Sequence, residues 1–200
     1  MPTQYISGTY RDLWTAVEIH KRMGTATKDK DERLALRFST MLLLFFSFEA
    51  YLNHLGERIA PDIWVDERNN FNGRNEIAGR RYLGSIGKCE YLQSRCGVPE
   101  ATVTNEMGAM MELKQFRDLL AHGKTEEGTT SYSCPQDESL ELHTPEVWQL
   151  VNSDLMERAF AANKSLMTTI HSAALVAYPE SGLEPSPFLS SFIQITDVTD

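Results

Sequence analysis

The amino-acid sequence predicts an all-α protein, an up-and-down bundle of four to five main helices. Apolar residues recur at helical spacing in several long segments, and one segment is apolar on every side. Most of these segments end at a glycine or a proline, which are ordinary helix stops. Strand-like alternation occurs in one polar stretch, where residues 129–143 could pair as a small hairpin.

The central element of the predicted bundle is a long second helix from about Asp31 to Ala60, which Pro61 ends. Its section from Met41 to Phe48 is apolar on all sides, and such a helix is normally buried all round. A first amphipathic helix over about 9–23 precedes it, in which Tyr10, Trp14 and Val17 share one face.

Three further helices are predicted after a segment, 61–84, that has the pattern of a loop or a broken short helix. They cover 85–96, 104–122 and 144–177, and the last is interrupted near 152–154. The expected organisation is a single helical domain over 1–178 and a C-terminal tail over 179–200.

Charge is distributed unevenly along the 200 residues, whose net charge is −9. Residues 1–73 carry a net charge of −1, residues 74–124 carry +2, and residues 125–200 carry −10. This balance argues against tight non-specific binding to nucleic acid, which requires many contacts between basic side chains and phosphates. It leaves room for a local anion site in the middle third.

Compartment and cofactors follow from what the sequence lacks. Cys89, Cys96 and Cys134 are an odd number without metal-ligand spacing, so we expect partly buried thiols and no metal or cofactor. The start of the chain has no signal-peptide pattern, and the longest apolar run is too short to span a membrane. A reducing cytoplasm and no membrane association are therefore expected.

The strongest indication of chemistry is the end of the helix over 104–122, where Arg117, Asp118 and His122 stand among aliphatic residues. A histidine titrates near neutrality and can accept or donate a proton. An arginine can bind a phosphate through two parallel hydrogen bonds. Asp118 could hydrogen-bond the imidazole and fix its tautomer.

Helical geometry bears on how these groups could act together. Asp118 and His122 fall on the face opposite the apolar arc, with Met107 and Met111 beside them. Arg117 and His122 are about 140° apart, so one copy of the helix does not easily direct both at one atom. Two copies facing each other across a two-fold axis could form a joint cleft. Without a metal-ligand set, phosphodiester cleavage there would use a neighbouring 2′-hydroxyl, which restricts the substrate to RNA.

A purely structural interpretation competes with this one. The bare spacing of an arginine and a histidine is expected about once by chance in a chain of this composition. A histidine at a helix C-terminus is favourable by itself, and Lys114 with Asp118 is an ordinary ion pair one turn apart. In that case the segment belongs to a helical scaffold.

The context of Arg117-Asp118-Leu119-Leu120-Ala121-His122 resembles the HEPN superfamily, the higher eukaryotes and prokaryotes nucleotide-binding domains. Those helical bundles carry an arginine, a polar residue, three to five further residues and a histidine near the end of a late helix. The segment from Phe46 to Asn53 is also similar to the family's central helix. The resemblance covers about residues 10–175.

The resemblance implies a homodimer with the motifs at its interface and a metal-independent endoribonuclease, as in toxin–antitoxin and antiphage defence proteins. Arg117, Asp118 and His122 would be catalytic, with RNA as substrate and an antitoxin or other protein as a further partner. Because many relatives lack activity, a non-catalytic module that binds a nucleotide or a protein is the alternative.

Further residues are candidates for supporting roles. Glu49 lies in an apolar helix, so it needs either a structural partner or a role beside Arg117. Asn53, one turn further on, is expected to be a packed amide that supports the site. The candidates for contacts with RNA are the basic residues Lys124, Arg80 and Arg81. Arg80 and Arg81 belong to a basic cluster with Lys88 and Arg95. The simpler interpretation of this cluster is a solvated surface.

Overall fold

The computed structural model describes residues 9–122, 149–151 and 154–188, and these residues are mostly helical, which confirms the all-α class. The elements in chain order are α1 (Thr9–Ala26), α2 (Lys30–Ile59), α3 (Pro61–Trp64), α4 (Glu67–Asn70), β1 (Asn72–Ile77), β2 (Arg80–Leu83), α5 (Gly84–Arg95), α6 (Thr104–His122) and α7 (Leu155–Ala177). Short 3₁₀ turns lie at Glu100–Thr102 and Pro179–Ser181. Helices α1, α2, α5 and α6 begin and end within a few residues of the predicted bounds, and α7 ends where predicted. The start predicted for the last helix at 144 lies outside the described residues.

Helix α2 is the central element, and it contacts α1, α6 and α7. The carboxylate of Asp29 caps its first turn by accepting hydrogen bonds from the backbone N–H groups of Asp31 (2.8 Å) and Glu32 (3.0 Å). The expectation that its apolar section is buried all round is wrong in part. Phe46 is 42% exposed.

Buried polar groups connect α2 to its neighbours. The amide of Asn163 in α7 donates to the carbonyl oxygen of Leu44 (3.1 Å), and the hydroxyl of Tyr51 donates to the carbonyl oxygen of Met167 (3.2 Å). The hydroxyl of Ser47 donates to the carbonyl oxygen of Tyr10 in α1 (3.2 Å). These bonds satisfy groups inside the core and fix the register of the three helices.

The segment over 61–84 contains two short helices, as a broken helix would, and then an antiparallel hairpin that the sequence did not predict. Ile77 pairs with Arg80 across a two-residue turn in which Ala78 (φ 52°) and Gly79 (φ 79°) both adopt left-handed conformations. That turn matches the twist of a hairpin, and its Ala-Gly sequence is a weaker signal than Asn-Gly. The hairpin predicted at 129–143 lies outside the described residues.

Helix α3 folds back onto α2 at a position that only glycine allows. A Cβ atom placed on Gly56 would lie 2.0 Å from the indole ring of Trp64. The absence of a side chain at Gly56 therefore lets Trp64 pack directly on the backbone of α2.

Residues 179–188, the first part of the predicted C-terminal tail, pack on α1 and α7. The ring of Phe188 lies 4.7 Å from that of Trp14, centroid to centroid. The imidazole Nε2–H of the buried His171 donates to the carbonyl oxygen of Glu184 (2.7 Å). The division into a domain over 1–178 and a tail over 179–200 stays a prediction.

By length and composition alone, α2 is the one helix among the described residues that could cross a membrane. The core helix of a soluble protein passes the same test. Helix α2 packs against α1, α3, α5, α6 and α7, as the middle helix of a bundle does.

Candidate functional site

The last two turns of α6 carry a compact cluster of charged side chains. A guanidinium Nη1 of Arg117 lies 2.9 Å from Oδ1 of Asp118, and Nζ of Lys114 lies 2.5 Å from Oδ2 of the same carboxylate. Lys114 and Asp118 are one helical turn apart, as the sequence predicts for an ion pair. Asp118 therefore joins the two cations of the cluster.

Arg117 is held on three sides. Its guanidinium carbon lies 4.7 Å from the centroid of the Phe45 ring, which is cation–π distance, and its Nη2 lies 3.6 Å from Oε1 of Glu49. Among the described residues, no atom accepts a hydrogen bond from the buried Nε of Arg117. The Arg117 side chain is 27% exposed, so part of it faces solvent while its guanidinium packs on Phe45 of α2.

Glu49 supplies the link between α2, α5 and α6. Its carboxylate accepts a hydrogen bond from the hydroxyl of Ser85, which is buried in the first turn of α5, and pairs with Arg117. Glu49 therefore has the structural partner expected of a carboxylate in an apolar helix, and it also contacts Arg117. A supporting role at a functional site stays a prediction. Its side chain is 31% exposed, so the carboxylate is only partly desolvated and the free-energy cost of burying its charge is reduced.

A second polar contact continues along the same side of α2. The ammonium of Lys88 donates to Oδ1 of Asn53 (2.8 Å) and forms an ion pair with Glu67. Lys88 is only 7% exposed, so its expected place in a solvated basic cluster is wrong. Burial with two polar partners makes Lys88 a structural residue that ties α5 to α2 and α4.

Arg80 and Arg81, the candidates for contacts with RNA, lie on β2 at the surface. Arg80 pairs with Glu90 (3.3 Å), and Arg81 pairs with Glu76 (3.2 Å). More than half of each arginine side chain is exposed, so both pairs are weak and a phosphate could displace them. The structure does not bring either residue into contact with Arg117.

The remaining predicted site residues are at or beyond the end of α6. His122 is the last residue of the helix, and its imidazole is outside the part of the chain that the structure describes. Lys124 also lies outside the described residues. The separation of the guanidinium from the imidazole therefore stays a prediction from helical geometry.

Two polar residues of α5 contact α2 in ways that the sequence did not indicate. Ser85 bonds to Glu49 and Lys88, three residues later, bonds to Asn53. Cys89 beside them is buried, which raises the pKa of its thiol, and burial raises the pKa of the Cys96 thiol to about 11. Such thiols stay protonated and are poor nucleophiles at neutral pH.

Among the described residues, no group of three or more histidine, cysteine or acidic side chains could hold a metal ion.

Comparison of the chain with models of protein families, with curated proteins and with solved structures finds no match. The likeness of the α6 motif to HEPN domains therefore remains a resemblance in sequence. The structure adds the contacts of Arg117 with Phe45, Glu49 and Asp118.

Proposed function

We propose that this chain is a metal-independent endoribonuclease of the HEPN type. The observation that carries the proposal is the fixed guanidinium of Arg117, which is held between Phe45, Glu49 and Asp118 in a side chain that remains 27% exposed. A preorganised and partly exposed cation is suited to a phosphate whose charge increases in the transition state. His122 follows five residues later on the same helix.

The proposed reaction uses one acid–base group and one clamp. The imidazole of His122 takes the proton of a ribose 2′-hydroxyl, whose oxygen attacks the adjacent phosphorus while Arg117 holds the phosphate oxygens. The bond from phosphorus to the 5′-oxygen breaks, that oxygen takes a proton from water as it leaves, and the imidazolium of His122 returns its proton to the solvent. The products are a 2′,3′-cyclic phosphate end and a 5′-hydroxyl end.

The proposal includes a homodimer, because Arg117 of one copy would meet His122 of the other. Two exposed apolar side chains support such a contact: Met111 on α6 is 57% exposed, and Phe46 on α2 is 42% exposed. Met111 lies two turns before Asp118 on one line of α6, and Phe46 lies two turns before Asn53 on one line of α2. Apolar surface beside a polar site is typical of a subunit interface.

Asp118 has a different role in this proposal from the one expected from the sequence. Its carboxylate forms ion pairs with Arg117 and Lys114, so in this proposal Asp118 orients the guanidinium of Arg117. A role of Asp118 in fixing the tautomer of His122 stays a prediction. A place in a toxin–antitoxin or defence system, with a partner protein in the cytoplasm, belongs to the same proposal.

One observation favours the alternative, a non-catalytic module that binds a nucleotide or a protein. Asp118 and Glu49 together neutralise Arg117, so an incoming phosphate must compete with two carboxylates. An arginine held in this way can also serve to join α2 to α6. The module would bind its ligand in a manner sensitive to Arg117→Ala without cleaving RNA.

Cleavage of a defined RNA in the presence of EDTA tests the proposal. We expect cleavage by the unaltered protein, loss of at least a hundredfold in His122→Ala and Arg117→Ala, and no change in Arg22→Ala, an exposed arginine on α1. A substrate with a single 2′-deoxynucleotide should resist cleavage at that position. Equal activity in folded His122→Ala, or cutting at the deoxynucleotide, would refute the proposal, and ligand binding without any cleavage would support the alternative.

A further inference from the structure

After α7 and a short 3₁₀ turn, the chain crosses α7 and α1 as a segment without helix or strand, residues 182–188, which we call the strap. The ring of Phe188 lies 4.7 Å from that of Trp14 in α1, and Pro187 is buried. Near the other end of the strap, Leu183 packs against the core. Apolar contacts therefore hold the strap at both of its ends.

The middle of the strap is held by one histidine of α7. The imidazole Nε2–H of His171 donates to the carbonyl oxygen of Glu184 (2.7 Å). Among the described residues, no other hydrogen bond joins 182–188 to the helices. His171 is 1% exposed, so water has almost no access to the ring while the strap is in place. The polar attachment of the strap thus depends on a single buried side chain.

The second ring nitrogen of His171 has no partner. Nδ1 is buried, and no described atom forms a hydrogen bond with it. Since Nε2 carries the proton that Glu184 accepts, Nδ1 carries a lone pair and the ring is neutral. A proton on Nδ1 would make the ring a cation with a buried N–H that finds no acceptor. Burial of an unpaired charge is costly, so the strap in place disfavours the charged ring.

The described groups around His171 also favour the neutral ring. Burial lowers the pKa of His171, the bond to Glu184 acts in the opposite direction, and the positive charge of Arg11 in α1 lowers it again. From α2, the ring of Tyr51 lies 6.1 Å from the imidazole, and its hydroxyl donates to a backbone carbonyl of α7. Glu184 itself is exposed, so its carboxylate does not compensate a charge inside the protein.

His54 in α2 adds a second neutral imidazole to this region. Burial, followed by the charges of Arg58 and Arg11, lowers its pKa to about 4. His171 acts on it in the same direction, so a charge on either ring opposes a charge on the other. Arg58 lies against the strap, since its Nη1 would be 3.7 Å from a Cβ atom placed on Gly182. The two arginines already make the region positive, and a further proton is unfavourable while the strap is in place.

We propose that acid releases the strap. A proton binds Nδ1 of His171, residues 182–188 move off α1 and α7, and both N–H groups of the imidazolium then donate to water. The release uncovers the rings of Trp14 and His171. One proton is taken up and no covalent bond changes. This device does not depend on the proposed nuclease activity.

Proton linkage gives the size and the sign of the effect. In the released state the solvated imidazole of His171 titrates near its ordinary pKa of about 6.5, whereas the strap in place keeps the ring neutral to lower pH. The closed strap is therefore favoured above about pH 6.5 and is lost as the pH falls. The equilibrium constant for opening should rise about tenfold for each pH unit, until the closed form is itself protonated.

Fluorine NMR of the protein labelled with 5-fluorotryptophan tests the release, because Trp14 contacts the strap whereas Trp64 packs on Gly56. Replacement of each tryptophan by phenylalanine assigns the resonances. Between about pH 7 and about pH 4.5, we expect the Trp14 resonance to move and the Trp64 resonance to keep its position.

His171→Gln is the decisive variant, since a glutamine amide can still donate to Glu184 but cannot become a cation. The Trp14 resonance of this variant should be independent of pH. His20→Gln replaces a half-buried histidine of α1 whose ring bonds to a serine of α2, and this matched control should titrate as the unaltered protein does. Arg11→Gln retains His171 and should move the transition to lower pH, so it tests the proposal even if His171→Gln fails to fold.

Several results would overturn the proposal. One is a Trp14 resonance that keeps its position throughout the titration, and another is a shift that persists in folded His171→Gln. A third is a joint change of the Trp14 and Trp64 resonances, since the strap would then open only on global unfolding. An unchanged transition in Arg11→Gln would contradict the electrostatic part of the argument and overturn it as well.

Discussion

The contact between Glu49 and Arg117 can be tested by a double-mutant cycle with Glu49→Gln and Arg117→Gln. At 3.6 Å, two unit charges attract by about 1 kcal/mol in a water-like dielectric and about 5 kcal/mol at an effective dielectric constant of 20. Both side chains are close to 30% exposed (31% and 27%), so screening by solvent places the pair near the lower end. We expect a coupling free energy of about 1 kcal/mol.

The assay is urea unfolding of the four proteins at one protein concentration, since any dimer would make stability depend on concentration. The exposed pair Arg80–Glu90 is the matched control, with expected coupling below about 0.5 kcal/mol. Ser85→Ala should reduce the coupling of Glu49 to Arg117, because the serine hydroxyl fixes the carboxylate. Coupling below about 0.3 kcal/mol would refute the view that Glu49 positions the guanidinium.

Three further outcomes follow from the packing. Gly56→Ala should lower the free energy of unfolding by about 3 kcal/mol, whereas Gly108→Ala, whose Cβ would meet open space within α6, should raise it by about 0.5–1 kcal/mol. Burial lowers the pKa of His54 to about 4 in the folded protein. As the pH falls, the imidazole is therefore protonated in the unfolded state before it is protonated in the folded state. The free energy of unfolding should fall by about 2 kcal/mol between pH 6.5 and pH 4, a value that allows for the partial exposure of His54. The decrease over the same pH range should be smaller in His54→Phe. In sedimentation measurements, Phe46→Asp should convert the dimer to a monomer, whereas Val65→Asp, at an 86% exposed position, should leave the dimer intact. A monomeric unaltered protein would contradict the proposed interface.

The helices were predictable from the sequence because their signals are local. The spacing of Tyr10, Trp14 and Val17, and the proline at 61, depend only on near neighbours along the chain. The hairpin at 72–83 was not predictable, since Ala78 adopts a left-handed conformation that alanine rarely takes. Its strands also lack clear alternation of apolar and polar residues.

The site was predictable only where it is built from one helix. The ion pair of Lys114 with Asp118 follows from their spacing, and Arg117 adjoins them in sequence. The contributions of Ser85 and Lys88 depend on how α5 packs against α2, which no local pattern records. Contacts between residues that are distant in the sequence are decided by tertiary packing, so they leave no recognisable local pattern.

The central claim is that Arg117 of one copy and His122 of another meet at one phosphate, and co-expression of two inactive variants tests it directly. Arg117→Ala and His122→Ala, carrying different affinity tags, would be purified as a mixed dimer and assayed on RNA in EDTA. We expect the mixed dimer to cleave at least tenfold faster than either variant alone, because it retains one guanidinium and one imidazole facing each other. A mixed dimer as inactive as both parents would contradict the shared site.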